Sequence, residues 1–220
     1  MKLKWKNCKR KIETLENESD SDESSNSSIS KIPIIINKTP NSYIYSNFNH
    51  IYFNNDITTE TAFELNKEIR NVQIKIKTIS VSLGIEEQPI YLHLTTDGGN
   101  IHSALSIIDC ISSLTIPLYT VIDGYVASAG TLISIMGEKR YMTKNSYMLI
   151  HELRCGYWGK MSNIEEEVLN LRKLMKHITN IYLKKTKIDK KEIKEILKKD
   201  INWNIKECIK YGLIDEEYKN

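Results

Sequence analysis

Short apolar runs that alternate with stretches of helical periodicity constrain this chain most. Pro89–Leu94, Leu118–Ile122 and Tyr147–Ile150 have the length and apolarity of strands, and Ile51–Phe53 reads as another. Between them, Thr59 to about Ser80 carries Phe63, Leu65, Ile69, Val72 and Ile76 near one helical face. Ala104, Leu105, Ile107, Ile108, Ile111 and Leu114 then recur at helical spacing, and Ser128–Met136 suits a short helix. Strands alternating with helices predict an α/β domain with crossover connections. The last third is helical. Ser162–Glu165 has the form of a capping box opening a helix to about Lys185. Asp189–Glu192 has the form of a second, ahead of Ile193, Ile196 and Leu197. No internal repeat of fixed period interrupts this pattern.

The 220 residues, 40% of them hydrophobic, suit one core-bearing domain and a tail. Residues 1–45 contain the acidic, Ser-rich run Asp20–Ser28, which buries too little apolar area to offset ordering. The expected division is a disordered tail over 1–45 and a single domain over 46–220. Residues 1–12 are basic, but the acidic segment Glu18–Ser30 follows where a signal peptide needs an apolar core. Cys8, Cys110, Cys155 and Cys208 are widely spaced and form no CxxC pair, which predicts reduced thiols and neither zinc nor redox chemistry. A cytoplasmic protein follows, or one of an organelle matrix. Residues 116–136 are long and apolar enough to span a bilayer, but Pro117, Asp123, Gly124 and Gly130 favour strand, turn and short helix. A net charge of +3 does not indicate nucleic acid, and Lys184–Lys199, interspersed with Asp189, Glu192 and Glu195, reads as a solvated helical face.

Chemistry concentrates around Ser128. It lies in Gly124–Gly130 between two alanines, and small neighbours leave a hydroxyl uncovered and let a substrate backbone approach. His151 follows an apolar run at a strand end, where catalytic groups gather, and is the candidate base. Asp200 is the candidate acid to orient it, and Gly98 and Gly99 lie where backbone N–H groups can meet an oxyanion. Each piece alone has an ordinary alternative. Ser128 suits close helix–sheet packing, His151 competes with His50, His93, His102 and His177, and Asp200 suits a helix end. The paired glycines suit a tight turn, and neither GxGxxG nor GxxxxGKS/T is present to make them a phosphate loop. Cys155, four residues beyond His151, lacks the small-residue setting of a nucleophile. Val126 stands where a GxSxG elbow has glycine, and the acid follows the histidine, so the scaffold is not an α/β-hydrolase.

Together these residues resemble the proteolytic subunit of the Clp protease, over roughly residues 48–216. The stretches that carry the resemblance are Thr95–Ile101, Gly124–Gly130, Tyr147–His151, Gly156–Gly159, Asp200 and Tyr211–Asp215. The resemblance implies a crotonase-like ββα superhelix with a C-terminal helical region. It implies Ser128 as nucleophile, His151 as base, Asp200 as orienter, and the N–H groups of Gly99 and Ala129 as the oxyanion hole. Gly98, Gly156 and Tyr157 would lie beside the substrate, the latter two on a strand over 156–159. It further implies a serine endopeptidase of unfolded proteins without metal or organic cofactor. Two stacked seven-membered rings of this chain would be joined through a helix over about 163–185, and an AAA+ unfoldase would consume ATP to feed them. The chain departs from the family pattern at Thr96-Asp97, where Ser-Pro is usual, and at Leu153, where proline is usual. Two rival readings share the shape: a non-catalytic ring subunit, and a crotonase-type acyl-CoA enzyme.

Overall fold

The computed structural model describes residues 43–219. The tail expected over 1–45 lies outside the described residues except at its end. There Ile44 and Tyr45 already belong to the first strand, β1 (Ile44–Asn47), which pairs antiparallel with β2 (His50–Asn54). Three crossovers follow. Helix α1 (Thr59–Leu83) leads to β3 (Ile90–Thr96), α2 (Ile101–Ser112) to β4 (Leu118–Ala127), and α3 (Ala129–Ser134) to β5 (Lys139–Met142). Strands β2, β3, β4 and β5 run parallel in that order. After β6 (Tyr147–Leu149) come α4 (Met161–Lys185), α5 (Ile193–Leu197), β7 (Asn202–Trp203), α6 (Ile205–Tyr211) and β8 (Glu216–Glu217), the last pairing with β5.

Helix α1 starts where Thr58 accepts from the Thr61 amide and Thr61 answers at the Thr58 amide. This reciprocal box satisfies two otherwise orphaned donors. Its buried stripe is Ala62, Leu65, Ile69, Val72 and Ile76. Phe63, expected on that face, is exposed because it sits one position, about 100°, off the three-and-four spacing. The box expected at Ser162–Glu165 does not form either. Helix α4 begins at Met161 behind Lys160, with no side-chain cap, so Ser162 is already helical. That end of α4 is exposed, and water can satisfy its first amides. At the second expected box, the Asp189 carboxylate accepts from the Lys191 amide ahead of α5, while Glu192 makes no return bond.

On β3, Ile90, Leu92 and Leu94 face the core beneath the helices, and Tyr91 and His93 face the other way. His93 is buried there, its Nδ1 2.6 Å from the Asp123 carboxylate and its Nε2 2.9 Å from His50 Nδ1. Both histidines are thereby structural. Behind the sheet, Arg140 ties the C-terminal segment down. Its guanidinium bonds the Asp215 carboxylate at 2.6 Å and the carbonyls of Lys185 and Gly212 at 2.7 and 2.8 Å. Among the described residues no helix is long and apolar enough to cross a membrane, and residues 116–136 are divided between β4 and α3.

Candidate active site

On the side away from β3, strand β4 serves two neighbours. Its first half pairs with β5 and its last three residues, Tyr125–Ala127, pair with β6. Between them the register against β3 jumps from Leu94↔Ile122 to Thr96↔Val126, so β4 carries two extra residues across the step. That bulge aims the end of β4 at the loop after β3. Ser128 is the residue at which β4 becomes α3, and it is a cap at φ 54 and ψ −126, not the first helical residue the sequence suggests. Both peptide planes around it are held. Its N–H donates to the Leu149 carbonyl at 2.8 Å, and its carbonyl accepts from the Thr131 amide at 3.0 Å and the Thr131 hydroxyl at 2.6 Å.

The loop after β3 lies against this turn. The Ile57 amide donates to the Gly98 carbonyl, and the Asn100 amide donates to the Ile57 carbonyl, each at 2.7 Å. In that parallel bridge the N–H of Gly99 points away from Ile57. A Cβ on Gly98 would sit 2.6 Å from the Ser128 Cβ, and one on Gly99, where φ is 138, only 2.3 Å from the Ile57 carbonyl oxygen. Only glycine permits this approach. Thr96 accepts from the Gly98 amide at 3.0 Å and so braces the loop from within.

Asp200 lies two residues before β7, a strand that is not evident in the sequence. Strand β7 pairs antiparallel with β6, Met148 opposite Trp203 and Leu149 opposite Asn202. Beyond that pair the register is not kept, since the Glu152 amide donates to the Leu197 carbonyl at 2.7 Å, and Asp200 is not among the residues that line the cleft around Ser128. Ser128, Ala129, Gly99 and His151 line one cleft of about 450 Å³, with Ile101, Leu132, Ile178 and Tyr182 as its apolar wall and Asp97, Glu152 and Arg154 as charged groups. The cleft thus brings Ser128, Ala129, Gly99 and His151 together but not Asp200 or Gly98, and the triad is not linked. His151 Nδ1 donates to the Glu152 carbonyl at 2.5 Å, and the Asp200 carboxylate pairs with the Arg154 guanidinium. Among the described residues no hydrogen bond joins His151 to Ser128 or to Asp200.

Gly156 and Tyr157 are exposed and do not line the cleft. The strand implied over 156–159 is not formed, because a strand exists only by pairing and nothing among the described residues pairs there. Cys155 is exposed and outside the cleft lining. Cys208 is buried, where loss of solvation pushes its thiol up to about 12, too high to supply a thiolate. Among the described residues no cluster of three or more His, Cys, Asp or Glu could hold a metal ion.

Comparison with known proteins identifies the family. The Clp protease family model matches residues 43–220. The chain belongs to the Clp protease family. It is 32% identical to the ATP-dependent Clp protease proteolytic subunit 2 of Treponema denticola, over 72% of this chain and 80% of that protein. It is 33% identical to the proteolytic subunit of Streptococcus mutans, over 60% of this chain and 69% of that one. A point mutant of ClpP1 from Listeria monocytogenes superposes with a TM-score of 0.68 at 21% identity, covering 79% of this chain and 92% of that chain. The fold is therefore the Clp-type ββα superhelix with a C-terminal helical region.

Proposed function

We propose that this chain is the catalytic subunit of an ATP-dependent Clp-type serine endopeptidase. Ser128 Oγ attacks the peptide carbonyl while His151 takes its proton, the N–H groups of Gly99 and Ala129 receive the oxyanion, and Asp200 holds the imidazole. His151 then protonates the leaving amine, and water releases the acyl group from Ser128. No metal or organic cofactor enters this chemistry, and ATP is used by a partner AAA+ unfoldase. The backbone of Ser128 carries the reading: a serine held at positive φ, with both peptide planes bonded, faces a cleft it shares with a histidine. Such conformations persist where function requires them.

The assembly is a double ring of this chain, two sevens, with unfolded polypeptide or peptide as substrate. Helix α4 supports it, because Met161, Val168 and Leu169 near its start are exposed and offer apolar area to another copy. Trp158 just before it is 96% exposed. Contact with a second ring would also give residues 156–159 the neighbour a strand needs, bringing Gly156 and Tyr157 beside a peptide that Gly98 lets approach.

One observation favours the rival reading of a non-catalytic ring subunit: Arg154 occupies the acid and Glu152 occupies the base. Fluorophosphonate labelling separates the two. Wild-type rings are expected to label at Ser128, located by peptide mass, and Ser128→Ala and His151→Ala are expected not to label. Folded, assembled wild type that fails to label, with its partner unfoldase supplied, would make the chain a structural subunit.

A further inference from the structure

Helix α3 carries more buried hydroxyls than its packing needs. Thr131 and Ser134 are fully or almost fully buried, as are Thr120 on β4 and Tyr182 on α4. Their bonds run in series. Thr120 donates to the Ser134 carbonyl at 2.6 Å, Ser134 Oγ to the Thr131 carbonyl at 2.8 Å, and Thr131 Oγ1 to the Ser128 carbonyl at 2.6 Å. Tyr182 Oη lies 2.5 Å from Thr131 Oγ1. The Ser128 carbonyl can only accept, so the single Thr131 hydroxyl proton is spent on it, and Tyr182 must be the donor to Thr131. Burial pushes the Tyr182 phenol well above its ordinary range, which keeps that donor proton in place.

The Ser128 carbonyl belongs to the same planar peptide unit as the Ala129 N–H, and in a trans unit the two point in opposite directions. Whatever fixes the carbonyl fixes the amide. We infer that Thr131 and Tyr182 are positioning residues that set the direction of the Ala129 N–H through the relay Tyr182 Oη–H to Thr131 Oγ1–H to the Ser128 carbonyl. The inference rests on the reading of Ser128 as nucleophile and deepens it. Because Tyr182 sits on α4, whose exposed start is the proposed contact between rings, the relay also ties oxyanion geometry to the helix that assembly would hold.

Thr131→Val keeps the shape and removes the hydroxyl, Thr131→Ser restores it, and Tyr182→Phe removes only the terminal donor. Assembled rings of each variant, their competent sites counted by fluorophosphonate titration, are assayed on a fluorogenic peptide and with a peptide aldehyde, which forms a tetrahedral adduct. Thr131→Val is expected to lower kcat per labelled site about 10-fold and weaken the aldehyde equally, with KM within twofold. That is a fraction of the ~10²–10³ cost of deleting an oxyanion donor outright. Thr131→Ser is expected to recover most of the loss. Tyr182→Phe should cost about threefold in the wild-type background and nothing beside Thr131→Val, since members of one relay do not add. Wild-type kcat per site in Thr131→Val, or a loss accounted for by fewer labelled sites, would overturn the inference and leave the nucleophile standing. Wild type that never labels would remove both.

Discussion

Asp200→Asn is expected to lower kcat about 10⁴-fold with little change in KM, because an amide at that position favours the wrong imidazole tautomer. The expectation holds although Asp200 pairs with Arg154 here, since that partner lines the same cleft as His151. Under the proposed mechanism the imidazole must leave the Glu152 carbonyl and the guanidinium must release Asp200 before a triad can link. Arg154→Leu should therefore act with the opposite sign. The ion pair is largely exposed on both sides, so it is worth about 1 kcal/mol or less, and releasing it should raise kcat/KM no more than about fivefold. Added salt screens the same pair and should raise wild type toward the variant, leaving the variant itself unmoved by this route. Steady-state peptide hydrolysis across an ionic-strength series checks both arms. Asp200→Asn retaining a tenth of the activity would dismiss Asp200 as the orienter, and a slower Arg154→Leu would make Arg154 a helper.

Gly99→Ala is expected to cost about 10²–10³ in kcat, the range for losing one oxyanion donor. The new methyl would lie 2.3 Å from a carbonyl oxygen, and Ile57 cannot retreat, because its own amide and carbonyl are both bonded to this loop. The loop must yield, carrying the Gly99 N–H off its line, and a positive φ adds strain for any L side chain. Ser128 should stay in place, held by Leu149 and Thr131. Single-turnover acylation by an activated ester isolates the step. Acylation within threefold of wild type, in folded rings, would show that Gly99 is not a donor.

How much of this was legible beforehand follows from which interactions are local. The runs at Pro89–Leu94, Leu118–Ile122 and Tyr147–Ile150 became strands within a residue or two at most ends, because burial on a parallel sheet needs continuous apolar sequence. Strand β4 nonetheless continued five residues past Ile122, through Asp123 and Gly124, because β6 supplied a second partner that no local pattern reveals. The short strand β7 escaped for the same reason, and with it the placement of Asp200. Caps depart from the local pattern in both directions. The pattern at Ser162–Glu165 stayed unused on an exposed helix end, while Asn204–Glu207 forms a complete box that opens α6. Ser128 and His151 stood out through their small-residue and strand-end settings. Thr131, Tyr182 and Arg154 did not, since their partners lie 46 to 51 residues away or on the backbone. A threonine three places after the nucleophile was the one available hint.

Apart from glycines, Ser128 and Phe48 alone have positive φ among the described residues. At a buried junction such a backbone costs roughly 1–3 kcal/mol, against the ~0.5–1 kcal/mol that glycine would lose in chain entropy. Glycine at position 128 would therefore make the more stable protein. Thermal unfolding of Ser128→Gly is expected to read out that gain, set against the loss of the nucleophile in the proposed mechanism.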